Sequence, residues 1–326
     1  NLLLYEGMEV IKLMILIRKI GKIFKKKDDK RKFKNVAYEW LEYKKNSIKE
    51  STYYNYMFII DKYLKDKYEN KNIEDLVKFN DLVQELSQKL SSKTVRDIVN
   101  VLRAILKYYQ EEYNVNLNYR RISVPKLEKS YIKILSNKEK QKIEKYCLKE
   151  KSLKSIGIIL CLNTGLRVGE ICALKWRNID LDEKNLYIKS TLQRVYDRKN
   201  KISNIIIDRP KTECSIRQIP INEKIYEILK SLKGKYKDED FFLTGNGGKF
   251  IEPRNYQYAF KEILKKSKVQ IVNFHVLRHT FATNCIDVGM DIKALSEILG
   301  HSSVEITLNK YVHSSRKMKK KYLERL

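Results

Sequence analysis

The chain has 326 residues, of which 43% are hydrophobic. That is enough to bury a substantial core in about two domains. Its formal net charge is +28 and its sequence pI is 9.7, so a basic partner surface is disfavoured and a phosphate backbone is the expected partner. The five cysteines form no CxxC pair and have no Cys/His spacing that would hold zinc. They read as small buried hydrophobes in a reducing cytoplasm.

Residues 1–30 read as an N-terminal extension. The apolar run from Val10 to Ile17 is too short to span a bilayer and is interrupted by Lys12. The basic cluster follows the apolar part, the reverse of a secretory signal, so a cytoplasmic amphipathic helix or a poorly ordered extension is expected. The chain opens on Asn1, with Met8 and Met14 as candidate starts, and the extension is short for a separate domain that would bind outlying DNA sites.

Residues 31–118 carry four helical patterns, about Val36 to Lys45, Ser51 to Tyr68, Asp81 to Leu90, and from Ser91 or Ser92 to Glu112. No glycine or proline interrupts residues 35–118, which suits a compact helical bundle. Its tyrosines are expected to pack in the core rather than stack on bases. The lysines between them include Lys44, Lys45 and Lys93, candidates for phosphate contact against the plainer reading of a solvated face. A charged, proline-containing stretch without helical period then begins at Tyr119, and residues 119–133 are expected to form an interdomain linker. Its Arg120, Arg121 and Lys126 could track DNA.

Residues 134–326 open on a capping box, Ser136 with Glu139, heading a helix to about Leu148. A second helix is expected over about Ser155 to Asn163. The run Thr164-Gly-Leu-Arg-Val-Gly-Glu170 then makes a sharp turn at Gly165 and starts a new helix at Arg167. A cation is mildly disfavoured at a helix N-terminus, so Arg167 has no local reason to be there. Between Leu186 and Ile221 the period changes to β-rich runs, predicting a small antiparallel sheet, with Lys211 in a polar turn. Helices resume at about Asn222 to Lys233 and Arg254 to Ser267. Asp180, Asp182 and Glu183 look like turn and cap residues, not a metal cluster.

From Phe274 to Val312 the sequence places three histidines, an arginine and a tyrosine on short helix-like segments. His275 and Arg278, three apart, share a helical face. Gly289 closes that helix, Asp291 caps the next, and Gly300 ends it just before His301. Tyr311 lies on a last short helix. His279 is expected to point away from His275 as a packed or surface residue, and His313 has no motif support.

Taken in order, Thr164-Gly-Leu-Arg167 with Glu170, Lys211, His275-x-x-Arg278, Leu299-Gly-His301 and Tyr311 resemble the tyrosine recombinase, or phage integrase, family. The resemblance covers most of the chain. It implies a mainly α fold with a small antiparallel β-sheet: an N-terminal helical, SAM-like core-binding domain and a mixed α/β catalytic domain enclosing DNA as a C-shaped clamp. It implies Tyr311 as nucleophile, Arg167, Arg278 and His301 on the phosphate, His275 assisting by accepting the Tyr311 proton or by holding the phosphate, and Lys211 as general acid, with Glu170 bracing its neighbours. These residue types suit the reaction, since attack on a phosphodiester puts charge on oxygens that fixed cations must meet. No cofactor, metal or ATP is expected.

The implied enzyme is a site-specific recombinase of a mobile element, acting as a homo-tetramer on two double-stranded DNA duplexes. The tail 314–326 would pack on a neighbouring subunit, and accessory DNA-bending or directionality proteins would assist. The alternatives are a housekeeping Xer-type recombinase resolving chromosome dimers, a type IB topoisomerase, and a non-catalytic DNA-binding regulator.

Overall fold

The computed structural model describes residues 31–76, 79–126, 132–197, 202–208, 216–311 and 324. The chain divides into two compact units, one built mainly from residues up to Lys129 and the other from Ser130 onward, with the segment Val195–Ile202 grouped with the first.

The first unit is helical: α1 (Phe33–Lys45), α2 (Glu50–Ile59), α3 (Lys65–Tyr68), α4 (Phe79–Lys89) and α5 (Ser92–Tyr113). Its centre is α5, whose Val95, Ile98, Val99, Leu102, Ile105, Leu106 and Tyr109 recur at helical spacing and are all buried. Ser91 caps it by accepting the Thr94 N–H. Against this face α1 lays Phe33, Val36, Ala37, Trp40 and Leu41.

The long second helix expected from the sequence is interrupted by a π turn, Ile60–Leu64, between α2 and α3. Ile59, Ile60 and Leu64 are all buried there. Tyr68 and Tyr109 are core residues, and the Tyr109 hydroxyl donates to Glu74 at 2.8 Å, whereas Tyr43 is exposed. The start of the expected linker is docked on this unit: Ile122 is buried in its core and the Arg96 guanidinium donates to the Pro125 carbonyl at 3.0 Å.

From Ser130 onward the elements are α6 (Asn137–Glu150), α7 (Leu153–Thr164), α8 (Val168–Ala173), β1 (Ile179–Asp180), β2 (Asn185–Ile188), β3 (Thr191–Asp197), β4 (Ile202–Asp208), β5 (Arg217–Pro220), α9 (Glu223–Lys230), α10 (Pro253–Lys266), α11 (His275–Asp287), α12 (Ile292–Leu299) and α13 (Val304–Tyr311). The Ser136–Glu139 capping box opens α6 as the sequence predicts. Helix α7 is apolar on every side, with Ile156 to Leu162 buried, and so forms the central rod of the second unit. Each of its buried Ile and Leu side chains contributes about 1.5–3 kcal/mol by leaving water.

The β-rich region folds as two small sheets rather than one. Strands β1, β2 and β5 form an antiparallel sheet with Leu186 opposite both Ile179 and Ile219, and β3 pairs with β4 separately. Cys147, Cys161, Cys172 and Cys285 are buried free thiols. Among the described residues, no helix is long and apolar enough to cross a membrane. Residues 1–30, Lys211, Cys214, His313 and, apart from residue 324, the tail 314–326 lie outside the described residues.

Candidate active site

The site is assembled where three helix ends meet. Helix α7 stops at Gly165, whose φ of +68° is the left-handed conformation a helix C-terminus favours. A Cβ at this position would lie 2.6 Å from the Phe281 ring and 2.9 Å from a Leu299 methyl. Glycine is therefore required both by backbone conformation and by close packing. The turn it makes delivers Arg167 to the start of α8, and Gly300 does the same for His301 at the end of α12.

Glu170 lies at the centre of the charge network. It is only 3% exposed. Its Oε2 accepts the Arg167 backbone N–H at 2.8 Å, and its Oε1 pairs with the Arg167 Nη1 at 2.7 Å. From the opposite side Arg217, on β5, grips the same carboxylate with both Nη atoms at 2.9 Å. Burial by itself would raise the Glu170 pKa. The Arg217 hydrogen bonds and charge, with help from Arg167, outweigh it and hold the group at about 2.

The arginines are fixed by backbone carbonyls. Arg167 Nη2 donates to Gly300 O at 2.9 Å, Arg217 Nε to Ile298 O at 2.6 Å, and Arg278 Nη1 to Gly165 O at 2.9 Å and Nη2 to Leu299 O at 2.5 Å. A guanidinium offers five N–H donors, so these bonds set the plane of the Arg167 and Arg278 forks and leave further N–H groups for a ligand. Arg278 is 1% exposed. Its burial, and the charge of Arg167, lower its pKa to about 9, which still leaves it charged at neutral pH.

Around this cationic floor stand the histidines and Tyr311. Tyr311 is buried, and its pKa is raised because burial outweighs the opposing effect of Arg278 and Arg167. The His301 ring lies parallel to the Tyr311 ring at 6.2 Å and its Nδ1 pairs with Thr307 Oγ1 at 2.8 Å. Burial and the charges of Arg278 and Arg167 depress the His301 pKa to about 3, so it rests neutral. His275 keeps an exposed edge. Its pKa also lies below the ordinary value, through partial withdrawal from water and the neighbouring charges of His279, Lys310 and Arg278. Among the described residues, no group of His, Cys, Asp and Glu could hold a metal ion.

Residues 127–318 match the phage integrase family, and residues 32–97 match the phage integrase N-terminal SAM-like domain. The chain belongs to the phage integrase family. It is 32% identical over 281 residues to a tyrosine recombinase XerC-like protein of Caldanaerobacter subterraneus subsp. tengcongensis, covering 78% of this chain and 70% of that protein. It is 24% identical to the integrase of Staphylococcus phage L54a, covering 88% and 90% of the two chains. Its fold matches the Tn1549 transposon integrase solved in complex with a circular intermediate DNA, with a TM-score of 0.73 at 22% identity over 90% of this chain and 99% of that one. As a family member this protein is an enzyme, a tyrosine recombinase that breaks and rejoins DNA strands.

In this recombinase the structure brings together Arg167, Glu170, His275, Arg278, His301 and Tyr311, all in the second unit. Two further residues join them that the sequence motifs do not mark. Arg217 stands in the sequence only as part of a β-rich run. His279, expected to point away from His275, instead meets it edge to face with the ring centres 4.5 Å apart, and the His279 Nδ1 is 2.9 Å from the Tyr311 hydroxyl. The cause is geometric, since residues four apart on a helix lie on one face. Of the candidate DNA-contacting residues, Lys45, Lys93, Arg120, Arg121 and Lys126 are exposed and Lys44 is half-buried. Lys45 also pairs with Glu42 at 3.1 Å, and the Lys44 ammonium lies 5.2 Å from the Tyr43 ring centre.

Proposed function

We propose that the protein is a site-specific DNA recombinase that integrates and excises a mobile element through a 3′-phosphotyrosyl intermediate. The observation that carries this reading is the convergence of the Arg167 and Arg278 forks on the pocket holding Tyr311. Three guanidinium groups, Arg167, Arg217 and Arg278, stand there against one carboxylate, Glu170. That surplus of fixed positive charge suits the negative charge that grows on a phosphodiester under attack.

In this reading the Tyr311 oxygen attacks phosphorus while Arg167, Arg278 and His301 hold the non-bridging oxygens. His275 assists at the phosphate. Glu170 orients Arg167, and Lys211 gives a proton to the departing 5′ oxygen. The phosphotyrosyl bond conserves the energy of the broken ester, so a 5′ hydroxyl of another strand displaces Tyr311 without ATP. Exchange between two duplexes breaks four strands, each needing its own tyrosine, which supports a homo-tetramer, with the tail 314–326 packing on a neighbouring subunit. Lys44, Lys45, Lys93, Arg120, Arg121 and Lys126 would contact phosphates.

Incubation with a nicked suicide duplex, which traps the adduct because the cut fragment diffuses away, tests the chemistry. A covalent protein–DNA adduct is expected with the wild type and none with Tyr311→Phe, while the variant keeps its DNA affinity. An adduct that survives in Tyr311→Phe refutes the assignment. The XerC-like relative supports a second reading, resolution of chromosome dimers. Recombination between the ends of the element, but not between the host's dimer-resolution sites, distinguishes the first from the second.

A further inference from the structure

The hydroxyl of Tyr311 has one histidine within hydrogen-bonding distance among the described residues, and it is His279, whose Nδ1 lies 2.9 Å away. The ring centres of the two residues are 5.4 Å apart with the planes tilted by 56°, so the imidazole edge meets the phenol oxygen. His275, the histidine nearer the start of α11, instead packs edge to face on His279 at 4.5 Å. His301 lies parallel to the Tyr311 ring and directs its Nδ1 to Thr307.

The surroundings settle which partner donates. The charged and titratable groups around the His279 ring are His275 and Arg278 on its own helix, and Lys310 and Tyr311 on α13. Burial, then the charges of Lys310 and Arg278, hold the His279 pKa at about 4. At neutral pH the ring is therefore uncharged. Tyr311, with its raised pKa, keeps its proton. A protonated phenol beside a neutral imidazole donates its O–H to Nδ1, which places the ring's single N–H proton on Nε2.

We propose that His279 is the catalytic base for Tyr311, a role resting on the strand-cleavage reading above. As the Tyr311 oxygen forms its bond to phosphorus, its proton passes to His279 Nδ1. The bond from phosphorus to the 5′ oxygen breaks, and its electron pair leaves on that oxygen, which takes a proton from the general acid, Lys211. In the rejoining step a 5′ hydroxyl attacks, its proton returns to the Lys211 amine, and Tyr311 departs with the proton held on His279. No oxidant, metal or nucleotide enters the balance. His275, in edge contact with His279, is placed to hold the base in its rotamer.

The test is the single-turnover rate of adduct formation on a suicide duplex at saturating protein, for the wild type, His279→Gln and His279→Ala. Glutamine keeps a hydrogen-bonding side chain beside the phenol but takes up no proton at neutral pH. Both variants are expected to bind the duplex as the wild type does and to form adduct about 100-fold more slowly or worse. Added imidazole should restore the His279→Ala rate in proportion to its concentration, and more basic imidazoles should restore it more. A His279→Gln rate within about threefold of the wild type overturns the proposal. So does a slow His279→Ala that regains its rate with glutamine but not with imidazole, because the ring would then be a structural spacer. Failure of the cleavage reading itself shows elsewhere, in a wild type that forms no adduct or a Tyr311→Phe that does.

Discussion

Replacing Arg217 by methionine should be among the most damaging single changes in the catalytic unit, although Arg217 is assigned no contact with the phosphate. The substitution removes both hydrogen bonds to Glu170 and the bond to Ile298 O, leaving a carboxylate that is 3% exposed with Arg167 as its remaining charged partner. The Arg167 side chain is 35% exposed, so its attraction is partly screened. The Glu170 pKa is about 2 in the folded protein against an ordinary 4.5. At 1.36 kcal/mol per pKa unit, that difference corresponds to about 3 kcal/mol of folding stability at neutral pH. Breaking a buried pair by removing one partner costs about 3–5 kcal/mol, the same range.

The assay is urea unfolding in a Trp40→Phe background, so that Trp176, packed on Tyr236 at 4.9 Å, reports on the second unit. Arg217→Met should lose about 3 kcal/mol at pH 7, and a cycle with Glu170→Gln should give a coupling of about 2 kcal/mol. The pH dependence has a definite sign. The folded pKa of Glu170 is depressed, so its contribution is complete above about pH 4.5 and is lost as pH falls toward 2. The gap between wild type and Arg217→Met should close over that window. A cost below about 1 kcal/mol at pH 7, or a gap unchanged down to pH 2, refutes the reasoning.

Gly165→Ala should destabilise the second unit by about 1–3 kcal/mol in the same urea assay, because the new methyl must adopt a positive φ and displace Phe281 and Leu299. Lys211→Ala should slow cleavage of an ordinary duplex by about 100-fold or more, yet cleave at the wild-type rate a duplex whose 5′ bridging oxygen is sulfur, since a thiolate leaves without a proton. Equal defects on both substrates would remove Lys211 as the acid. Combined replacement of Arg120, Arg121 and Lys126 by glutamine should flatten the slope of log affinity against log salt by about 0.9 for each phosphate that is no longer neutralised. A slope equal to the wild type places these residues off the DNA.

The elements legible in the sequence are those that carry their own local signals. Ser91 and Ser136 are caps in the sequence and caps in the structure, because a side-chain oxygen satisfying a free N–H needs only its near neighbours. The π turn at Ile60–Leu64 is not legible in the same way, since no glycine, proline or cap in the sequence marks it. Arg217 does carry a signal. In Arg217-Gln-Ile-Pro-Ile the side chains alternate, so Arg217 falls in phase with buried Ile219 and Ile221 while Gln218 and Pro220 are exposed. A cation in phase with the apolar face of a strand implies a buried anion. That the anion is Glu170 is a long-range fact no local pattern holds. His279 departs from expectation for a simpler reason: four residues turn a helix by just over one full rotation, so His279 tracks His275 closely.

The depressed histidine pKa values link the resting site to the reaction. In the structure the cations of the site face one another, and His279 and His301 rest neutral because burial and those cations both oppose their protonation. A DNA phosphate entering the pocket brings a negative charge, which offsets Arg167 and Arg278 and makes an imidazolium less costly. His279 therefore becomes a stronger base when the substrate is present. Without DNA, burial keeps the Tyr311 hydroxyl protonated and the neighbouring imidazole is too weakly basic to take its proton. The same cations that oppose protonation of His279 favour ionisation of Tyr311, so it is burial that keeps the Tyr311 hydroxyl protonated at rest.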